Sequence, residues 1–131
     1  MKPEITGIDH VHVYVGDRKA AERWYADTLG FVPVEELAEW ATPNGPLTLQ
    51  NESGSVHLAV FEKENPPTTS TIAFGTDGRN FLEWKSHLEG RGLKLRLADH
   101  ELAYSLYFND PWGNYHEITT MDHDFVAGQL H

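Results

Sequence analysis

Along the chain, apolar residues alternate with a period of two, then recur with a helical period, then alternate again, and this sequence of patterns occurs twice. In Ile8–Val15 the alternation predicts a strand with Ile8, His10, His12 and Tyr14 on one face and Val11, Val13 and Val15 on the other. Asp17 then stands where an N-cap belongs. The helix Arg18–Leu29 follows, with Ala21, Trp24, Tyr25 and Leu29 as its apolar stripe and Gly30 as its stop. Phe31–Ala41 reads as a further strand, with Pro33 marking an edge or bulge. Thr42-Pro43-Asn44-Gly45 is a turn, and Leu47–Gln50 and Ser55–Phe61 are strands joined around Glu52-Ser53-Gly54.

Lys63–Thr68, polar and with two prolines, reads as a linker. Beyond it, Ser70–Phe74 predicts a strand, and the helix Arg79–Glu89 buries Phe81, Trp84 and Leu88 before Gly90-Arg91-Gly92 ends it. Leu93–Leu97, Ala103–Asn109 and Asn114–Thr120 read as three more strands, the last two joined through Asp110-Pro111-Trp112-Gly113. The tail Met121–His131 has no clear pattern, apart from Phe125-Val126, which could dock. A shift of 60 residues lays Val13–Gly30 on Ala73–Gly90 and Ser55–Phe61 on Tyr115–Met121, so that Asp17 meets Asp77, Trp24 meets Trp84 and His57 meets Glu117. The expected architecture is α+β: tandem βαβββ modules whose curved sheets form a cleft. One domain is expected over 1–131, with module one at about 6–63, module two at about 69–121 and a tail at 122–131.

Composition narrows the function classes. Apolar residues at 40% and charged residues at 23% are ordinary for a folded globular chain of 131 residues. No long apolar run or signal-like N-terminus is present, so neither a membrane span nor export is expected and a cytoplasmic location is. The absence of Cys excludes disulfides, thiolate metal sites and a Cys nucleophile. A net charge of −10 repels a phosphate backbone, which argues against nucleic-acid binding.

The chemistry-bearing residues come from the repeat. Alternation puts Tyr115, Glu117 and Thr119 on one face of the last strand and Ser55, His57, Ala59 and Phe61 on one face of its counterpart. Pseudo-twofold symmetry would point His57 and Glu117 into one cleft, where His10 or His12 could join them. Two imidazoles and a carboxylate suit a divalent ion: Fe, Zn, Ni, Co or Mn. His87, His100, His123 and His131 fall in helix, loop and tail and read as unremarkable. His12 shares the face of His10 and is a candidate second-layer group or general base. Tyr107 faces the same side as Ser105 and Asn109, and Tyr14, Phe61, Trp40 and Trp112 are candidate pocket walls.

Ile8-Asp9-His10-Val11, Asp17, Trp24-Tyr25 and Leu29-Gly30-Phe31 resemble the opening signature of the vicinal oxygen chelate superfamily, which includes glyoxalase I, extradiol dioxygenases, fosfomycin resistance proteins and bleomycin resistance proteins. Ser105-Leu106-Tyr107-Phe108, Asp110-Pro111, Gly113 and Glu117 resemble its closing signature, so the resemblance spans about 6–120. It implies metal ligands at His10, His57 and Glu117, with Thr71 standing where the family usually places a fifth-strand His. Tyr107 matches the tyrosine that extradiol dioxygenases hold beside the metal. The implied function is a divalent-metal enzyme, dioxygenase-like or lyase/isomerase-like, acting on a small molecule chelated through adjacent oxygens. The implied catalytic residues are Glu117 and Tyr107, to which the shared strand face with His10 adds His12, and the implied assembly is a homodimer that can swap modules. The competing expectation is a metal-free protein that sequesters a drug or metabolite, as bleomycin resistance proteins do.

Overall fold

In the computed structural model, which describes residues 2–67 and 70–130, the chain divides into two compact units, Met1–Pro67 and Thr68–His131. Thr68 of the expected linker, Thr69 at the start of the expected second module and His131 of the tail lie outside the described residues.

The first unit runs β1 (Val11–Val15), α1 (Arg18–Leu29), β2 (Val32–Pro33), a short 3-10 helix (Glu35–Trp40), β3 (Leu47–Gln50) and β4 (His57–Glu62). Its open sheet has the order β1-β4-β3-β2, with β1 parallel to β4 and the other pairs antiparallel. Val13, Val15, Leu58 and Val60 are fully buried, as are Ala21 and Tyr25 of α1, which packs on β4. Burying each of these larger aliphatic side chains contributes about 1.5–3 kcal/mol. The Asp17 carboxylate accepts from the Ala20 N–H at 3.0 Å and caps α1. At the other end Gly30 adopts φ 75°, the left-handed conformation that closes the helix.

The expected strand over Phe31–Ala41 is corrected. Only Val32 and Pro33 pair, at the edge of the sheet, and Glu35–Trp40 coils into the 3-10 helix. Pro33 carries no N–H and suits an edge, while Glu-Glu-Leu-Ala-Glu is rich in helix formers with acidic residues at the positive end of the turn. The Arg18 guanidinium anchors the following loop, donating to the carbonyls of Ala41 at 3.0 Å, Thr42 at 2.7 Å and Gly45 at 2.8 Å.

The second unit runs β5 (Ile72–Gly75), α2 (Gly78–Gly90), β6 (Arg96–Asp99), β7 (Tyr104–Asn109), β8 (Tyr115–Thr120) and α3 (His123–Leu130). Its sheet order, β5-β8-β7-β6, repeats the first, again with one parallel pair. Asp77 caps α2 through the Asn80 N–H at 2.8 Å, as Asp17 caps α1. The Asp110 carboxylate is buried in the turn before β8, accepting from the Trp112 and Asn114 N–H groups at 2.9 Å each. The expected α+β architecture of two βαβββ-like modules with open curved sheets is the architecture observed.

Two further expectations change. The tail is a helix: Val126 is fully buried, and the Asp122 carboxylate accepts from the Gly78 N–H at 2.6 Å, tying the tail to the start of α2. The 60-residue overlay holds for the helix caps but not for β1 and β5. Val13 lies opposite Val60, buried on the helix side, whereas Ala73 is exposed and lies opposite Glu117. A slip of one residue turns a strand over, so β5 presents Ala73, and by alternation Thr71, on the face that carries Glu117.

Candidate functional site

The helix-free face of the first sheet holds a cavity of about 160 Å³. Asp9, His10, His12, Thr48 and His57 supply its polar groups, and Leu37, Trp40, Pro46, Ala59 and Phe61 supply the apolar ones. Parallel pairing places His12 opposite Ala59, and the same register carried back two residues sets His10 alongside His57. The structure therefore brings His10, His12 and His57 to one pocket. Trp40 and Leu37 reach it from the 3-10 helix, and Trp40 stays 56% exposed, leaving its ring open to a ligand. Tyr14 stacks on Phe61 at 5.7 Å, behind the lining.

A chain of short contacts runs along this face. Asp9 Oδ2 is 2.8 Å from His10 Nδ1, His10 Nε2 is 3.2 Å from His12 Nε2, and His12 Nδ1 is 3.4 Å from the Tyr14 hydroxyl. The Asp9 carboxylate can only accept, so His10 carries its proton on Nδ1 and offers the Nε2 lone pair to the pocket. The His12 ring also packs against Phe61 at 4.8 Å, which steadies it.

In the second unit, β8 carries Glu117 on the corresponding face. Its Oε2 accepts from the fully buried Ser105 hydroxyl at 2.8 Å, and Ser105 Oγ lies 3.0 Å from Thr119 Oγ1, whose hydroxyl reaches the Tyr104 carbonyl at 3.3 Å. One carboxylate oxygen is thereby fixed and Oε1 is left for another partner. Tyr107 lies directly opposite Glu117 across β7 and β8. Its hydroxyl is 3.0 Å from His100 Nε2, and the Arg96 guanidinium sits 4.2 Å over its ring. Trp112 lies in the turn before β8.

Imidazole nitrogens and a carboxylate are a donor set that fits a borderline divalent ion such as Zn, Fe, Mn, Co or Ni. Among the described residues, however, no three His, Asp or Glu side chains are gathered closely enough to hold a metal. Thr71 offers no strong ligand in their place.

Sequence reasoning overlooked three residues. Ser105 could have been found from the β7–β8 register, since it is diagonal to Glu117 on the same face. Arg96 shares the row of Tyr107 and Glu117 once β6 is placed correctly, so this acidic chain does hold a cation on that face. His100 was set aside as a loop residue, yet it tethers Tyr107. His123 is likewise structural: it bonds Asp99 at 2.7 Å and stacks on Tyr104 at 4.7 Å, and the Asp99 hydrogen bond, aided by Asp124, raises its pKa.

Solved structures share this architecture. An integron cassette protein from the mobile metagenome of the Halifax Harbour sewage outfall is 23% identical, with 88% of this chain and 99% of that one covered and a TM-score of 0.76. Lactoylglutathione lyase from Agrobacterium tumefaciens is 22% identical, covering 92% and 97%, with a TM-score of 0.71. The fosfomycin resistance protein FosX from Listeria monocytogenes, complexed with Mn(II) and sulfate, is 14% identical, covering 98% and 100%, with a TM-score of 0.69. At these identities the likeness shows the fold. No curated protein matches the chain by sequence. Residues 7–118 match the model of the glyoxalase/bleomycin resistance protein/dioxygenase superfamily, and the chain belongs to that superfamily.

Proposed function

We propose that the protein is a divalent-metal-dependent enzyme, with His10, His57 and Glu117 as ligands, acting on a small molecule bound through two adjacent oxygens. The observation that carries this reading is the placement of His10 and His57 side by side on one pocket wall. The Ser105-oriented carboxylate of Glu117 supports it. So does kinship in fold with lactoylglutathione lyase and with FosX, which was solved with Mn(II). Bound there, the ion supplies Lewis-acid stabilisation of negative charge developing on the substrate oxygens.

The chain's own residues do the rest. Asp9 holds the His10 tautomer that faces the pocket, and Ser105 orients Glu117. Tyr107, whose hydroxyl meets His100, is the group this reading assigns to hydrogen-bond a substrate oxygen. Phe61, Leu37 and Trp40 exclude water and favour a substrate with an apolar portion. One carboxylate among the ligands weakens a glyoxalase-type isomerisation, which uses two, and favours dioxygenase-like or lyase-like chemistry. The same reading takes the protein as a cytoplasmic homodimer. Among the described residues no helix is long and apolar enough to cross a membrane.

Elemental analysis of anaerobically purified wild type beside His57→Ala and Glu117→Gln tests the assignment. About one divalent ion per chain, lost in both variants, is the expected result. No metal in the wild type after reconstitution with Fe, Ni, Zn, Mn or Co would overturn it in favour of a metal-free sequestering protein.

A further inference from the structure

Arg96, Tyr107, Glu117 and Ala73 stand in one row across the four strands of the second sheet. The next row on the same face is Ala98, Ser105, Thr119 and Gly75. Its side chains are short and leave room above the sheet beside the longer Arg96, Tyr107 and Glu117. The Arg96 guanidinium sits 4.2 Å over the Tyr107 ring. Contact with the ring restrains the long side chain and takes up none of its N–H donors. Among the described residues no carboxylate pairs with it, although the chain carries 20 acidic residues against 10 Lys and Arg. Glu117, the acid in its own row, is committed through Oε2 to Ser105. The Tyr107 hydroxyl meets His100 Nε2 at 3.0 Å, and where that nitrogen donates, the phenol proton is left for a second acceptor.

We infer that this face of the second unit recognises a carboxylate, with Arg96 taking both oxygens of the ligand's carboxylate and the Tyr107 hydroxyl donating to one of them. A planar fork of donors matches a carboxylate two bonds at a time. Charge favours the same group. Arg96 and Glu117 cancel on this face, so a monoanion adds one negative charge where a phosphate dianion would add two. The inference rests on the reading above in taking Tyr107 and Glu117 to face the substrate, and it names an acidic group on that substrate. It needs no metal and nothing from the first unit.

The test uses the full chain, stripped of metal and labelled with nitrogen-15, as wild type, Arg96→Lys and Arg96→Met. Arg96 is exposed, so both variants leave the core intact. Each protein is titrated with benzoate, benzamide and phenylphosphonate while the arginine side-chain N–H resonances are followed. Benzoate is expected to move one resonance, the one missing from both variants. Its affinity is expected to fall about 10–100-fold in Arg96→Met, the range for losing a charged hydrogen-bonding partner. Arg96→Lys, which keeps the charge and loses the fork, is expected to recover only part of this. Benzamide, the neutral analogue, is expected to bind the wild type at least about 10-fold more weakly than benzoate. Equal benzoate affinity in wild type and Arg96→Met, or no benzoate binding by the wild type, would overturn the site. Tighter binding of phenylphosphonate than of benzoate would overturn the choice of a carboxylate. A wild type that binds benzoate through Arg96 yet takes up no metal would remove the metal reading and keep this site; metal uptake without benzoate binding would remove this site alone.

Discussion

The two modules share a backbone plan and differ in what they hang on it. In each, an Asp caps the single crossover helix and a four-stranded sheet follows the same strand order. The faces diverge. In module one the helix side is apolar, through Val13, Val15, Leu58 and Val60, and the opposite face is a histidine-lined pocket. In module two the helix side of β8 carries His116 and Thr120 among its buried residues, and the opposite face holds the Ser105–Glu117 bond and the Arg96–Tyr107–Glu117 row. Duplication thus preserves the helix caps and the strand order, while the register of the first strand in each sheet and the side chains that only one face sees have changed. Module one carries exposed histidines on that face, and module two carries a carboxylate held by a serine.

The largest expected difference between the modules is in acid. Burial pushes the His116 imidazole down to about 4, against a weaker opposing pull from Asp110. Its folded pKa lies below its unfolded one, so the unfolded chain binds the extra proton. Stability from this group is complete above about pH 6.5 and is lost as pH falls toward 4, by up to about 3 kcal/mol. Denaturant melts between pH 7 and 4 measure this, and His116→Leu should flatten the profile. The pocket face of module one has no counterpart buried to this degree. His123 acts in the opposite sense: its raised pKa makes the α3 contact strongest below about pH 6.5, and that contribution fades as pH rises through the folded value.

Next in size is the carboxylate support. Ser105→Ala removes the donor at Glu117 Oε2, and metal affinity is expected to drop 10–100-fold, which calorimetric titration would show. An unchanged affinity would mean that Glu117 needs no orienting hydroxyl and that the two faces differ less than their geometry indicates.

The smallest effect tests the similarity. Asp17→Ala and Asp77→Ala should each cost about 1 kcal/mol, since both carboxylates accept from the N–H three residues on at 2.8–3.0 Å. A gap of more than about 1 kcal/mol between the two variants in urea melts would show that the caps are not equivalent, the second being reinforced by Asp122 at Gly78.

Much of the fold was legible in the chain. Helix α1 begins after its Asp cap and ends at its Gly where local signals place it, because N-cap and C-cap chemistry acts within four residues. The faces of β4 and β8 follow from alternation alone, and with them the separation of Glu117 from the buried His116. The 3-10 helix Glu35–Trp40 was not legible, since a stretch after an edge proline has no period of its own until Arg18 fixes the loop beyond it. Nor was α3, whose formation depends on Val126 and Asp122 meeting a second element.

By itself the sequence determined the tandem βαβββ plan, the membership signalled by both end signatures, and the candidates His10, His12, His57, Tyr107 and Glu117, because strand parity and helix capping are local properties. Only the tertiary structure decided which partners those side chains have. Asp9 and Tyr14 flank the facing histidines, Ser105 holds Glu117, His100 and Arg96 hold Tyr107, and β5 is slipped so that it presents Thr71 and Ala73 beside Glu117. The physical reason is that register between strands is set by packing over the whole sheet, and one residue of slip reverses every face.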